Sequence, residues 1–351
     1  MGDAGQETLD EALTALAGFG PDLRNGNTNH APMAVEALCV LGRHDAVFPF
    51  LERYRAELLP MPPIGERIDP DDWRPALGKP ERAGDWSAFF ADELADEPWR
   101  RVLDRWAGRL APGLSAAATH GVIRVGHAAR ALGARESRER IRELGDALGS
   151  WACTYQELPA AQATTGAVLP PAEAFARVPI CPPEKRRFRG SIVSALEGLD
   201  DFPEFAPVIG WADLSGDPNA RLAELTRLFA RVYAANVHDF LTSIVFIHGI
   251  TSAAALGHLL PYLSEPNARA ALRYAWQAGC ALYTAFGRAA PAGEVAPATL
   301  GEAELVARAV AHGDEHAIKI TEACLARNAL VPDAAYLAAA ESALRLLPAA
   351  A

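Results

Sequence analysis

Apolar residues recur at three- and four-residue intervals along most of the chain, which is the spacing of an amphipathic α-helix. Between residues 87 and 111, for example, Leu103, Trp106 and Leu110 keep this interval. Further helices are predicted over residues 7–18, 32–41, 134–155 and 219–235. Alternating β-branched runs are missing, and Ala, Leu, Arg and Glu dominate. We therefore predict an all-α, mostly helical fold.

Two segments interrupt the helical pattern. Residues 60–86 and 159–189 are rich in proline, which suits neither a helix interior nor a central strand, so each is predicted to be a long loop. Trp73 and Trp86 in the first loop indicate that it packs against the domain. With 351 residues, half of them apolar, the chain can bury a large core. We predict a single large helical domain over residues 1–351.

The most apolar stretch runs from residue 237 to residue 263. It is long enough for a helix of roughly 40 Å, and Asp239 is its only charged side chain. A helix that is apolar on nearly every face is buried in a domain or in a membrane. We expect no membrane span, because the stretch has no flanking basic cluster, Pro261 lies near its end and no second span exists.

Three histidines interrupt this apolar stretch: His238, His248 and His258. Ten residues rotate a helix by about 1000°, roughly 80° short of three turns, so these three cannot all face one point. At most one of them is expected to bind a central metal ion together with other segments. The alternative is a core histidine that hydrogen-bonds to its neighbours.

Three other segments carry candidate ligands. His30 lies in an Asn-rich segment just before a predicted helix start, where it is either a ligand on a fixed loop or part of a surface turn. His120, Arg124 and His127 share one face of a predicted helix, which indicates a polar pocket or a structural ion pair of Arg124 with neighbouring histidines.

His316 and Lys319 are three apart near the start of another predicted helix, after Gly313 and the capping residue Asp314. They can approach one point, or lie on the helix surface. The run HGDEH lacks the H-E-x-x-H order of a metalloprotease.

Charge and cysteine content narrow the function classes. The formal net charge of −11 argues against nucleic acid or an anionic membrane surface as a partner. The five cysteines are widely spaced and form no CxxC pair, which fits reduced thiols and excludes a cysteine zinc site. The N-terminal segment has no basic residues or cleavable apolar core, so we expect a cytoplasmic protein. Nothing in the sequence predicts an oligomeric state.

The blocks NHAPMAVEALCVLG, HGVIRVGHAARAL, FIHGITSAAAL and GDEHAIKI, in this order, resemble the questin oxidase-like family over a core of residues 28–325. The resemblance implies a mononuclear non-haem Fe(II) held by four histidines and by a lysine carboxylated on its ε-amine. Residue by residue, the matching positions are His30, His120, His248, His316 and Lys319. Without the resemblance, imidazole ligands suit iron, zinc, copper or nickel alike.

The resemblance also implies an activity. Family members oxidatively open the ring of anthraquinones in polyketide pathways of secondary metabolism, so we expect an oxygenase that uses dioxygen on an aromatic substrate, as a dioxygenase or a Baeyer–Villiger-type monooxygenase. NADPH is a candidate external reductant, although no dinucleotide fingerprint is present. The alternatives are a zinc-dependent hydrolase and a metal-free helical binding protein.

Three further residues are candidates for catalysis. The fungal pattern has His at the position of Arg124 and Tyr at that of His127, so these two positions bear on the substrate more than on the metal. His127 and His238 are candidate proton donors or neighbours of the ligands, with ordinary core histidines as the alternative.

Overall fold

A computed structural model describes residues 1–161, 168–291 and 293–350. These residues form a mostly helical single domain, which confirms the predicted fold class. The helices are α1 Asp3–Ala15, α2 Ala31–Val40, α3 Val47–Tyr54, α4 Ala83–Asp96, α5 Trp99–Leu110, α6 His120–Ala134, α7 Arg138–Cys153, α8 Pro171–Phe175, α9 Ile192–Glu197, α10 Pro218–Asn236, α11 Phe240–Leu259, α12 Glu265–Phe286, α13 Glu302–His312, α14 Glu315–Leu330 and α15 Ala334–Leu346.

Two predicted elements have different bounds in the structure. The helix predicted over 87–111 is two helices, α4 and α5, separated at Pro98, because proline has no N–H to continue the ladder. The loop predicted over 60–86 ends earlier, since α4 begins at Ala83 and contains Trp86. The loop predicted over 159–189 contains the short helix α8, and its residues 162–167 lie outside the described residues.

A small sheet is present that the sequence patterns did not predict. Strands β1 Phe19–Leu23 and β2 Leu58–Pro60 pair antiparallel. The backbone N–H of Asn29 donates to Pro21 O at 2.7 Å, and its side chain donates to Gly20 O at 2.9 Å. The sheet therefore fixes the segment that leads into α2.

The central helix α11 is a core helix. Asp239 and Thr242 form a capping box that starts it at Phe240, so His238 lies outside the helix. The segment Phe240–Tyr262 is long and apolar enough to cross a membrane, but 78% of its most apolar window is buried inside the protein. This burial explains why it is apolar on all faces, because other helices surround it.

Four helices form a closed ring of packed neighbours. The helix α11 packs against α6 and α14, and α2 packs against both α6 and α14. Each of the sequence blocks that carried a candidate ligand lies on one of these four helices or directly before it. Packing of this ring can therefore bring together side chains that are far apart in sequence.

The α6–α11 contact depends on a glycine. A Cβ on Gly126 would lie 2.6 Å from the backbone oxygen of Ala255, closer than real carbon atoms approach. We expect Gly126→Ala to lower the free energy of unfolding by about 1–2 kcal/mol, because the forced separation of the helices outweighs the better helix propensity of alanine. Urea denaturation measures this change.

Gly249 in α11 gives the matched control, since a Cβ there would meet its nearest atom, in Phe229, at an ordinary 3.7 Å. We expect Gly249→Ala to leave stability unchanged or to raise it by up to about 1 kcal/mol. Equal effects of the two substitutions would contradict the close-packing argument.

Candidate metal centre

Four histidine side chains from the four packed helices lie close together, three of them at helix N-termini and one in the middle of a helix. His30 is the N-cap residue of α2, His120 is the first residue of α6, His248 lies in the middle of α11 and His316 is the second residue of α14. The ring centroid of His30 lies 4.4 Å from that of His120 and 4.6 Å from that of His316. The ring centroids of His120 and His248 are 4.6 Å apart. We call these four residues the histidine cluster.

The hydrogen bonds of the cluster assign its tautomers. Nδ1 of His120 lies against Ala117 O, and Nδ1 of His248 lies 2.6 Å from Ile244 O. A carbonyl oxygen only accepts, so each Nδ1 carries the proton and each Nε2 keeps a free lone pair. Nδ1 of His30 lies 3.1 Å from a carboxylate oxygen of Glu315, which orients that ring in the same way. Carboxylate and carbonyl partners of this kind are the usual supports of metal-binding histidines.

The free nitrogens face one another without a proton to share. Nε2 of His120 and Nε2 of His248 are 3.1 Å apart. Two nitrogens bound at right angles to one ion at about 2.1 Å would be about 3.0 Å apart. Nε2 of His30 and Nδ1 of His316 are buried and have no hydrogen-bond partner among the described residues. One donor nitrogen each from His30, His120 and His316 lie within 4.8 Å of one another. These residues fit a metal ion, which would satisfy every orphaned lone pair.

Burial favours the neutral form of His120 and His248. Desolvation, followed by the charges of neighbouring His30, His248 and Lys319, lowers the pKa of His120 well below its usual value. Desolvation and the charges of His316 and Lys319 lower the pKa of His248 to about 3. The positive ends of α2 and α6 act in the same direction on His30 and His120 at their N-termini. Neutral imidazole is the form that binds a metal.

Lys319 lies beside the cluster, one turn along α14 from His316. The side chain is 2% exposed, and desolvation by burial lowers the pKa of its amine to about 8. Gly313 ends α13 with a φ of 75°, and the Asp314 side chain caps α14 by accepting from the N–H groups of His316 and Ala317. These bonds fix the start of α14, and the predicted cap and glycine are confirmed.

A left-handed turn delivers His120. Ala117, Ala118 and Thr119 have φ values of 46°, 57° and 74°, a conformation that costs a non-glycine residue roughly 1–2 kcal/mol. The turn brings Ala117 O against the ring of His120. Strain of this kind persists where the surrounding structure requires it, and here it orients the ring of His120.

The structure does not bring Arg124 and His127 to the cluster. Arg124 donates from Nε and Nη2 to the two carboxylate oxygens of Glu143 on α7, at 2.7 and 2.9 Å. His127 Nδ1 lies 2.7 Å from Glu36 on α2. The contacts therefore match the alternative prediction, a structural ion pair of Arg124, and not one shared polar pocket, because α6 is surrounded by several helices and each side chain meets a different one. A catalytic role for either residue gains no support from these contacts.

The other two histidines of the apolar stretch also lie apart from the cluster. His238 precedes α11, its side chain is 34% exposed, and its Nδ1 lies 2.9 Å from Asn236 O. His258, which is half-buried, lies near the charges of Arg130, Glu36, His127 and Arg327. Of the three, only His248 reaches the cluster, in agreement with the rotation argument. The prediction that His238 is a proton donor gains no support from this position.

Two residues that contact His30 were not predicted from the sequence patterns. Glu315, the carboxylate partner of His30, was visible only as part of the HGDEH run. Tyr54 at the end of α3 accepts a hydrogen bond from the backbone N–H of His30 at 3.0 Å. No local spacing links either of them to His30, because the contacts join different helices.

The fold and the cluster together define a helical protein with a buried, imidazole-rich site. The questin oxidase-like family matches residues 28–324, and the chain belongs to this family, which confirms the resemblance found in the sequence. No curated protein matches the chain. Membership implies an oxidase that acts on an aromatic, polyketide-like small molecule.

Proposed function

We propose that the protein is a non-haem Fe(II)-dependent oxygenase that oxidises or opens the ring of a phenol, hydroquinone or anthraquinone with dioxygen. The observation that carries the proposal is the 3.1 Å approach of the unprotonated Nε2 atoms of His120 and His248. His30 and His316 add two buried nitrogens that lack partners among the described residues. Imidazole suits iron, and the family supplies the link to oxidation.

In this proposal the four histidines and Lys319 hold the metal. Bound Fe(II) would supply the electrons with which dioxygen is activated. The carbonyls of Ala117 and Ile244 and the carboxylate of Glu315 keep the protons on Nδ1 of their partner rings, so that Nε2 stays available. The apolar helices around the site exclude water from it.

Lys319 enters as a carbamate. An ammonium has no lone pair and cannot bind a cation. Because burial lowers the pKa of Lys319 to about 8, part of its amine is neutral near pH 7. The neutral amine adds to the carbon of CO₂ and releases one proton. The product is a carbamate, whose anionic oxygen can bind a metal. That ligand would stand in for the carboxylate of two-histidine, one-carboxylate iron sites.

The substrate side of the proposal rests on the family and on the apolar walls of the site. Aromatic residues of the central helices would line the ring of a planar ligand. Two surface cavities of about 330 and 400 Å³ contain no residue of the histidine cluster, so neither is assigned to the substrate. NADPH remains a candidate external reductant. We also propose a cytoplasmic location, since all five cysteines are free and buried.

Metal analysis combined with oxygen uptake tests the proposal. Protein purified anaerobically should contain close to one equivalent of iron or take it up, and should then consume dioxygen when a panel of hydroquinones and hydroxylated anthraquinones is added. Zinc-loaded protein should consume none. Bound zinc with ester hydrolysis and no oxygen uptake would instead favour the metal-dependent hydrolase. Absence of any bound metal would favour the helical binding protein.

A further inference from the structure

A second buried polar cluster joins the ring helices beyond the histidines. Arg130 on α6 donates to Glu36 on α2 from Nε at 2.8 Å, and its Nη1 donates to Glu322 on α14. Glu36 also faces Nδ1 of His127 at 2.7 Å. The side chains of Glu36 and Glu322 are each 3% exposed. We call Glu36, His127, Arg130 and Glu322 the charge network.

The charge network connects the same helices that carry the candidate ligands. Arg130 bridges α2 and α14, which bear His30, His316 and Lys319, and it lies on α6 with His120. Along the helix axes, Glu36 is about 9 Å from His30, and Glu322 is about 4.5 Å from Lys319. Four of the five proposed ligands thus stand on helices held together by one guanidinium.

The bonding of the network is strong and directional. Burial alone would raise the pKa of Glu36, but the charge of Arg130 and the hydrogen bond from His127 hold it well below its usual value. The planar guanidinium offers donors in fixed directions, so the two carboxylates it bridges are held at a defined separation. Apolar packing would not set that separation as narrowly, since apolar contacts are non-directional.

A similar ion pair on α6 serves as a comparison. Arg124 and Glu143 are also buried, and Arg124 binds its carboxylate through two nitrogens. However, this pair joins α6 to α7, a helix that carries none of the proposed ligands. The two ion pairs thus resemble each other in chemistry and differ in the helices they connect.

From this arrangement we infer that Arg130, with Glu36 and Glu322, is a positioning residue for the metal centre: it fixes the separation of α2, α6 and α14 at which the ligands meet. The inference rests on the proposed metal site and adds residues that, within the described part of the chain, form no hydrogen bond with the proposed ligands. The carboxylate of Glu36 acts on the site through α2, which begins directly after His30.

The test compares Arg130→Lys with the matched control Arg124→Lys. Lysine keeps the positive charge but cannot bridge two carboxylates in a fixed plane. Co²⁺ affinity and the visible Co²⁺ spectrum, together with the melting temperature of the metal-free protein, are measured for the wild type and both variants. We expect Arg130→Lys to weaken Co²⁺ binding about 10-fold or more and to change the spectrum. Arg124→Lys should lower the melting temperature with less than about 3-fold change in affinity.

Each outcome is decisive. If both variants lose affinity to the same degree, or if Arg130→Lys keeps the wild-type affinity and spectrum, the inference is wrong. If the wild type itself binds no Co²⁺ or Fe²⁺, the proposed function fails first and the inference fails with it. If Arg130→Lys does not fold, Arg130→Met combined with Glu322→Met removes opposite charges together and should show the same loss of affinity.

Discussion

Replacing His248 with alanine is expected to lower metal affinity by roughly 100-fold or more, because loss of a ligand exceeds the 10–100-fold cost of losing a supporting residue. His248 is 2% exposed, and its Nε2 faces that of His120 at 3.1 Å. Its removal therefore deletes a donor that solvent cannot readily replace. Elemental analysis of purified protein and anaerobic Fe²⁺ or Co²⁺ titration measure the effect.

The melting temperature gives a second readout of the same variant. A metal that binds only the folded protein raises stability in proportion to RT ln(1 + [L]/Kd), so chelation should lower the melting temperature of the wild type but hardly that of His248→Ala. His238→Ala is the control, since His238 is partly exposed before the start of the same helix. We expect it to retain wild-type metal binding. If neither added metal nor chelator changed the melting temperature of the wild type, the proposed metal centre would be contradicted.

The sequence predicted the helices well because their signals are local. Apolar spacing located α5 and α10, and Gly313 and Asp314 marked the boundary between α13 and α14 through a left-handed φ and a side-chain cap. The sheet was missed because β1, FGPDL, contains a glycine and a proline and pairs with only three residues. Its stability comes from contacts with distant segments, which no short window contains.

The site was predictable only in part for the same reason. The rotation argument correctly separated His248 from His258, since both lie on α11, whereas His238 lies apart because it precedes the helix. The same angular argument failed for Arg124 and His127, because two side chains on one face but several residues apart along α6 meet different neighbours, Glu143 and Glu36. Convergence of ligands from four helices came from the family resemblance rather than from any spacing.

The carboxylate partners show the limit of local patterns most clearly. Glu315 reaches a histidine 285 positions away, and Arg130 joins Glu322 across 192 positions. A charged residue within an apolar helix signals that a partner exists, since an unpaired buried charge is costly. Which partner it finds depends on helix packing. No sequence pattern singled out Arg130, and its connection of three helices that carry candidate ligands depends on their packing.

Lys319→Ala is expected to weaken metal binding by roughly 100-fold or more, and a short carboxylic acid should restore much of it. If Lys319 acts as a carbamate, the variant lacks an anionic oxygen and leaves a buried cavity beside the cluster. Propionate or butyrate can fill such a cavity with apolar carbons and present a carboxylate in place of the carbamate. Co²⁺ titration with and without millimolar acid measures the rescue.

The matching amine separates the carbamate from a simple amine ligand. Propylamine has nearly the same size as propionate but offers only nitrogen, so it should not rescue Lys319→Ala if the missing donor is an oxygen anion. Wild-type protein stripped of metal and freed of CO₂ should likewise bind Co²⁺ weakly until bicarbonate is added, because the amine alone, with its pKa near 8, stays largely protonated at pH 7. Rescue by the amine would instead identify Lys319 as a simple amine ligand. Co²⁺ binding that does not change when bicarbonate is added would contradict the carbamate.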